Sequence, residues 1–355
     1  MRIAVDISQL PYGTGVSFYT RELIKALLEV DQENEYVLFG GYLRRKKDLV
    51  SFASSLTGRF STRFFPFPPT LAHIVWNKLH ALKIEKFTGQ IDVYHSSDWA
   101  QAPSDAFKVT TIHDLAPFKY PKLTPKKIIS AHKARLKWIV KEVDRVIVPS
   151  QATKKDLVDS GIDGSMVRVI PEAPGKQFQR QGELKVKEMQ RKYKLRDYIL
   201  TVGVGGRKNT ERLISAYEHA KAGKDLTLVI VGKGEVKERR GVRLLGSLED
   251  RELAVLFSGA QSFVFPSLYE GFGLPILQAF SCGTPVVTSN ISSMPEVAGD
   301  AAVLVDPYKV ESIAEGIKKA IAGRKGFIKK GFERVREFSW EKAALETLNV
   351  YKEAK

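Results

Sequence analysis

The sequence is short of the residues that usually signal covalent or metal chemistry. Among 355 residues there is one cysteine, Cys282, so no intramolecular disulfide can form and a disulfide-stapled scaffold is excluded. Cys282 sits near the end of an expected helix and reads as a small packing residue, not a nucleophile. The six histidines are scattered, without a close Cys or His partner, which argues against a structural zinc site. No run of 18 apolar residues occurs, so no membrane-spanning helix is expected. Asp6 interrupts the first apolar run, Ile3-Ala4-Val5, too early for a signal peptide, and a cytoplasmic location is the expectation. Acidic residues are outnumbered, 40 against 56 basic ones, for a formal charge of +16. That imbalance points to polyanionic partners or an anionic surface.

What is present is a globular composition, 43% apolar and 27% charged over 355 residues. The length suits two domains of about 150–200 residues each. The positive charge is uneven, with nine Lys/Arg between Lys119 and Arg145 against Glu142 and Asp144. The spacing predicts a helix over 125–145 with Ile128, Ile129, His132, Leu136, Ile139, Val140 and Val143 on one face. Lys126, Lys133, Lys137 and Lys141 form a stripe away from it. Charge runs usually mark a solvated face. The sharper reading is peripheral contact with an anionic membrane, where each near-surface Lys contributes about 1 kcal/mol.

Short apolar runs alternate with helical spacing along the chain, the pattern of a doubly wound α/β fold. Ile3-Ala4-Val5 is followed by the glycine loop Pro11-Tyr12-Gly13-Thr14-Gly15-Val16 and a helix of Tyr19, Leu23, Ala26 and Leu27 spacing. Gly13 and Gly15 do not fit the Gly-x-Gly-x-x-Gly spacing of dinucleotide folds, so an NAD reading is weak. Leu71, Ile74, Val75, Leu79 and Leu82 predict another helix. His113-Asp114 falls at the carboxyl end of a strand, where open α/β sheets bind ligands. A second series starts at Tyr198, and its first strand runs into Val204-Gly205-Gly206-Arg207-Lys208-Asn209. Glycines with two fixed cations ahead of a helix suit a departing diphosphate, whose bridging oxygen gains negative charge.

The most informative stretch is 262–290. Phe263-Val264-Phe265 reads as a strand stopped by Pro266-Ser267, and Gly271-Phe272-Gly273 opens a helix near Pro275 that ends at Gly283. A glycine loop at a helix N-terminus presents unpaired N–H groups and the positive end of the helix dipole to an anion such as phosphate. Glu270 cannot favour that anion, and so reads as an acceptor from hydroxyls on the phosphorylated ligand. A sugar nucleotide meets both requirements.

The Glu270-Gly271-Phe272-Gly273-Leu274-Pro275 stretch resembles the donor-site signature of the family 4 retaining glycosyltransferases, and among them the group 1 mannosyltransferases of bacteria and archaea. The resemblance implies a GT-B fold, two Rossmann-like doubly wound domains facing each other across a cleft. On that basis residues 1–172 form the acceptor-side domain, with a C-terminal helix at 339–355 packing back onto it. Residues 173–182 form a linker, and 183–338 bind the nucleotide sugar. The implied catalytic set is His113, Lys208 and Glu270, with His113 bonding the donor sugar and Lys208 the phosphates. The family's usual arginine has no counterpart among Val204, Gly205 and Gly206, and Arg207 is read as its substitute in the set. Gly13, Gly15, Asp114, Gly246, Gly271, Phe272, Gly273, Leu274 and Gln278 are the implied donor-binding residues. Gln278 departs from the pattern, which has a second glutamate there for the ribose. An amide still accepts one hydrogen bond, but without the charge assistance that lifts such bonds from about 1 to about 1.5–3 kcal/mol.

The expected activity is retaining transfer of a hexose from a nucleotide-diphosphate sugar to a hydroxyl of a glycan or lipid-linked acceptor. The Arg-Lys-Asn loop is similar to that of mannosyltransferases in polysaccharide assembly, which implies GDP-mannose as the donor, with UDP-sugars next. Nothing resembles the metal-binding Asp-x-Asp loop of the other major transferase fold, so no metal or other cofactor is expected. Two rivals remain open: a nucleotide-sugar epimerase of similar fold, which needs no acceptor, and a basic nucleic-acid-binding protein. The second lacks any recognised nucleic-acid motif and leaves the Glu270 loop unexplained, so no nucleic-acid partner is expected.

Overall fold

The computed structural model describes residues 1–221 and 225–354. The chain divides into two compact units, Met1–Glu172 with Trp340–Lys355, and Ala173–Ser339.

The first unit is built on a parallel sheet of β1 (Arg2–Asp6), β2 (Glu35–Gly41), β3 (Phe60–Phe65), β4 (Val93–Ser96), β5 (Phe107–Thr111), β6 (Arg145–Val148) and β7 (Val167–Val169). Its order is β3-β2-β1-β4-β5-β6-β7, so the sheet reverses direction between β1 and β4. Ligands of such sheets gather at the carboxyl ends near the reversal. The inner strands β1, β2, β4, β5 and β6 are largely buried on both faces, which is why they read as apolar runs instead of alternating ones. The helix Gly15–Val30 begins at Thr14, whose side chain accepts from the Ser17 N–H in a capping box, and it buries Tyr19, Leu23, Ala26 and Leu27. The terminal helix Trp340–Lys352 lies against Gly15–Val30 and adds Ala344, Leu348 and Tyr351 to this core.

The second unit repeats the plan with β8 (Asp197–Val202), β9 (Leu226–Val231), β10 (Val242–Leu244), β11 (Ser262–Phe265), β12 (Val286–Ser289) and β13 (Ala302–Val305). They are ordered β10-β9-β8-β11-β12-β13, with the reversal between β8 and β11. The segment read as a linker, 173–182, lies within this unit, where Phe178 is buried edge-on against Phe257.

Two helix expectations need correction. The spacing of Leu71, Ile74, Leu79 and Leu82 suggests a buried face, yet all four are exposed. A short α-helix, Pro69–Ala72, passes into a π-helical segment, His73–Lys78, and Trp76 and Asn77 take the inner positions instead. His80 and Leu82 then adopt positive φ. The helix expected over 125–145 spans Lys126–Glu142. Ile128 and Val140 are exposed, and the inward side is held by Ile139 and, unexpectedly, Arg135. A cation outcompetes an aliphatic residue there because acceptors await it, as described below.

Candidate active site

In the second unit the loop after β8 and the loop after β11 converge. Gly203 has φ +90°, and a Cβ there would meet the Lys208 side chain at 2.9 Å. The glycine lets the lysine stem fold back over the strand end, where its Nζ lies 4.6 Å from the centre of the Phe265 ring. Asn209 fixes the end of this loop by donating to the carbonyls of Pro266 and Pro307, at 3.0 and 2.7 Å.

These anchors bring three charged groups together. Lys208 Nζ donates to Glu270 Oε1 at 2.7 Å, and Arg207 Nη1 donates to Glu270 Oε2 at 3.1 Å and to the Tyr269 carbonyl at 2.7 Å. Burial of Glu270 disfavours its charge, but Lys208 and then Arg207 more than offset this, and its pKa is lowered. The cluster keeps one net positive charge, two cations against one carboxylate. Glu270 was read from the sequence as a sugar-hydroxyl acceptor, and the structure adds this second role of holding both cations.

Beyond Glu270 the chain turns through Gly271-Phe272-Gly273 into the helix Leu274–Ser281. Gly273 is its N-cap with φ +105°, a conformation open to glycine and costly for other residues. Two serines that sequence reasoning missed hold the loop. Ser293 Oγ, fully buried, donates toward the carbonyls of Glu270 and Phe272 at 2.9 and 2.6 Å, and Ser292 Oγ donates to the Glu270 carbonyl at 2.7 Å. Their only signal was two serines immediately before Met294-Pro295, a helix-start pattern. The Phe272 ring is buried edge-on to Phe338, so its backbone, not its ring, is what the loop can offer a ligand. Leu274 is half-buried, and Gln278 lies one turn further on, nearly buried. Gly246 closes the strand β10 side of this end, its carbonyl accepting from Gly232 N–H at 2.7 Å.

In the first unit Gly13 ends a short 3-10 turn with φ +65° and Gly15 opens the helix, and neither has anything within 4 Å of a Cβ position. Behind them is a buried polar network. His113 Nδ1 lies 3.1 Å from Glu172 Oε1, and Tyr19 stands edge-on to its ring at 4.6 Å. Arg135 Nη2 donates to Thr110 Oγ1 at 2.6 Å and to the Thr111 carbonyl at 3.1 Å, and its Nη1 faces Asp98 Oδ1 at 3.4 Å. His95 is bonded at both nitrogens, to Tyr351 OH at 2.6 Å and Thr111 Oγ1 at 2.9 Å, and burial pushes its pKa down to about 3. Asp114 accepts from the Ala116 N–H at 2.8 Å, so it shapes the turn after His113. Glu172 and Arg135 were not singled out from the sequence, and they belong to the network only through contacts distant along the chain.

Cys282 is buried and its thiol is pushed up to about 12 by that burial, as a packing residue would be. Among the described residues no group of three His, Cys, Asp or Glu side chains is arranged to hold a metal ion, and no helix is long and apolar enough to cross a membrane.

Comparison with known proteins agrees with this geometry. The model of the family 4 glycosyltransferases matches residues 13–173 and that of the group 1 glycosyl transferases matches residues 184–334. The O-antigen chain mannosyltransferase B of Escherichia coli is 28% identical, over 99% of this chain and 100% of its own length. Sucrose-phosphate synthase from Thermosynechococcus elongatus superposes with a TM-score of 0.73 at 21% identity, covering 99% of this chain and 98% of its own. Anabaena HepE, solved with UDP and glucose, superposes with a TM-score of 0.73 at 15% identity, covering 99% and 100%. At such identities these two structures speak for the fold alone. With both halves matched, the chain belongs to the family 4 glycosyltransferases and is a glycosyltransferase of the GT-B fold.

Proposed function

We propose that the enzyme moves a hexose from a nucleotide-diphosphate sugar to a hydroxyl of a glycan or lipid-linked glycan, with retention and without a metal ion. The observation that carries this reading is the Arg207–Glu270–Lys208 cluster beside the Gly271–Gly273 loop and a helix N-terminus. Arg207 and Lys208 offer fixed positive charge to the diphosphate, and Glu270 accepts from sugar hydroxyls. As the bond from C1 to the diphosphate oxygen breaks, the acceptor oxygen bonds to C1 on the same face. Its proton passes to the leaving phosphate oxygen. His113 is the donor-sugar hydrogen-bonding group that the family resemblance implies.

GDP-mannose is the first donor to assay, because the full-length Escherichia coli relative is a mannosyltransferase. A UDP-sugar is the second, since HepE was solved with UDP and glucose. The test is thermal unfolding with GDP, UDP or ADP, followed by transfer from the matching nucleotide sugar with and without EDTA. A nucleotide at about 100 times its Kd adds about 2.7 kcal/mol of stability. Transfer with retained anomeric configuration and no effect of EDTA supports the proposal. Inversion or a metal requirement overturns the corresponding part, and donor consumption without acceptor would favour an epimerase.

The acceptor is proposed to be presented at an anionic membrane surface, at the inner face of the membrane. Of the sixteen exposed large hydrophobic residues among the described ones, seven are Leu71, Ile74, Leu79, Leu82, Leu123, Ile128 and Val140. The two segments that carry them are joined by the stacking of His80 on Trp138 at 3.6 Å and by the Trp138 Nε1–H bond to the Asn77 carbonyl at 2.8 Å. Lys126, Lys133, Lys137 and Lys141 are all exposed on the same helix as Ile128 and Val140. Vesicles containing phosphatidylglycerol should sediment the protein and phosphatidylcholine vesicles should not. Binding that ignores salt, or survives the joint change Lys133→Glu, Lys137→Glu and Lys141→Glu, overturns this surface.

A further inference from the structure

We propose that Glu172 is the positioning residue for His113, fixing which ring nitrogen holds a proton and which is left for a ligand. The backbone sets the pair. His113 follows β5 and Glu172 follows β7, with β6 between them, and both flanks continue the ladder. The Ile112 N–H donates to the Ile147 carbonyl and the Ile170 N–H to the Val148 carbonyl, each at 2.9 Å. The two side chains therefore leave the same edge of the sheet and meet at 3.1 Å, both largely buried. Pro171 restricts the chain just before Glu172. On the other flank, the Tyr19 ring stands at 81° to the imidazole, and Tyr19 is held in turn through Thr111 Oγ1 at 3.2 Å.

A carboxylate on Nδ1 demands Nδ1–H. In the imidazolium, Nε2–H is then the donor available to a ligand. When the ring loses a proton it loses that one, and Nε2 changes from donor to acceptor. The groups facing His113 are Glu172 after β7, Asp98 after β4, Asp114 on its own segment, His95 on β4 and Tyr19 on the first helix. Asp98 is shared with Arg135, Asp114 caps the Ala116 N–H, and His95 is uncharged. Glu172 is in hydrogen-bond contact with the ring. Burial opposes the imidazolium, Glu172 outweighs it with help from Asp98 and Asp114, and the His113 pKa is raised.

The consequence for transfer rests on the proposed function, but the pairing does not. The experiment is nitrogen-15 NMR of His113 in the full chain across pH, for the unmodified protein, Glu172→Gln and Glu172→Asp. Expected are a neutral form with the proton on Nδ1 and, in Glu172→Gln, a fall of about tenfold or more in proton affinity. Glu172→Asp should retain part of the difference. A neutral form with its proton on Nε2, or an unchanged midpoint in Glu172→Gln, overturns the proposal. The unmodified protein supplies the first of these readouts even if a variant fails to fold. The pH profile of kcat/KM then separates the two readings. A midpoint that moves while the transfer profile stays fixed upholds the pairing and counts against His113 in the transfer reaction.

Discussion

The strand ends of the first unit carry side chains that satisfy one another, whereas those of the second carry backbone turns held by glycine and serine. In the first unit, Arg135, Asp98, Thr110, Thr111, His95, Tyr19, His113 and Glu172 are drawn from five strands or helices and their adjoining loops. In the second, Glu270 to Gly273 is one continuous loop, and its main partners, Arg207-Lys208 and Ser292-Ser293, are two adjacent pairs. Distributed side-chain networks are sensitive to the loss of any buried charge. Compact backbone sites depend on conformation and tolerate changes in the surrounding core.

The sharpest way to break this contrast is Arg135→Met. It leaves Asp98 facing no guanidinium and strips Thr110 and Thr111 of a donor, and breaking a buried pair costs about 3–5 kcal/mol. Denaturant unfolding should show a loss of that order, and a loss below about 1 kcal/mol would mean the network is not acting as a unit. Lys208→Ala should have the opposite profile. Removing one fixed electrostatic contact typically costs about 10²–10³ in turnover, and the stability loss should be the smaller one because Arg207 still bonds the buried Glu270 carboxylate. Unchanged turnover would remove Lys208 from the reaction. Ser293→Ala should cost about 1–3 kcal/mol, because the Phe272 carbonyl loses the Ser293 donor while Ser292 still serves the Glu270 carbonyl. It should also weaken nucleotide binding by loosening the loop.

The smallest effect expected is on pH dependence, and it runs in opposite directions in the two units. Glu270 has a lowered pKa, so its contribution to stability is present above its unfolded value and is lost as pH falls through the folded one. His113 has a raised pKa, so its contribution is present below its unfolded value, about 6.5, and is lost as pH rises through the folded one. Thermal unfolding across pH with Glu270→Gln and Glu172→Gln as references should show the acid limb flattened by the first and the alkaline limb by the second. The reverse assignment would contradict both electrostatic accounts.

The same contrast explains what could be read from the chain. The Glu270 loop was legible because glycine, proline and a helix start are local demands, written in adjacent residues. The parallel sheets were legible because strands buried on both faces are apolar runs. Arg135 was not legible: helical spacing places it on the inward side, and only the fold shows that Asp98, Thr110 and Thr111 wait there. Leu71, Ile74, Leu79 and Leu82 misled for the converse reason, since periodicity identifies an apolar face without saying that protein covers it. Glu172 sat in plain view beside a presumed domain boundary, but its partner is 59 residues away.

The terminal helix has a further consequence for how the chain is made. Tyr351 bonds the buried His95, and Glu353 bridges Arg145 and Arg168, with Glu353 Oε1 3.0 Å from Arg168 Nε. Residues 1–172 leave the ribosome ahead of these side chains and cannot complete their own unit until they follow. At about 5–20 residues per second, the intervening stretch takes roughly 10–35 s to synthesise. Throughout that interval the second unit, contiguous in sequence, can fold, while the first holds an open seam over Tyr19 and His95. A nascent chain stalled there is the form of this protein most in need of a chaperone.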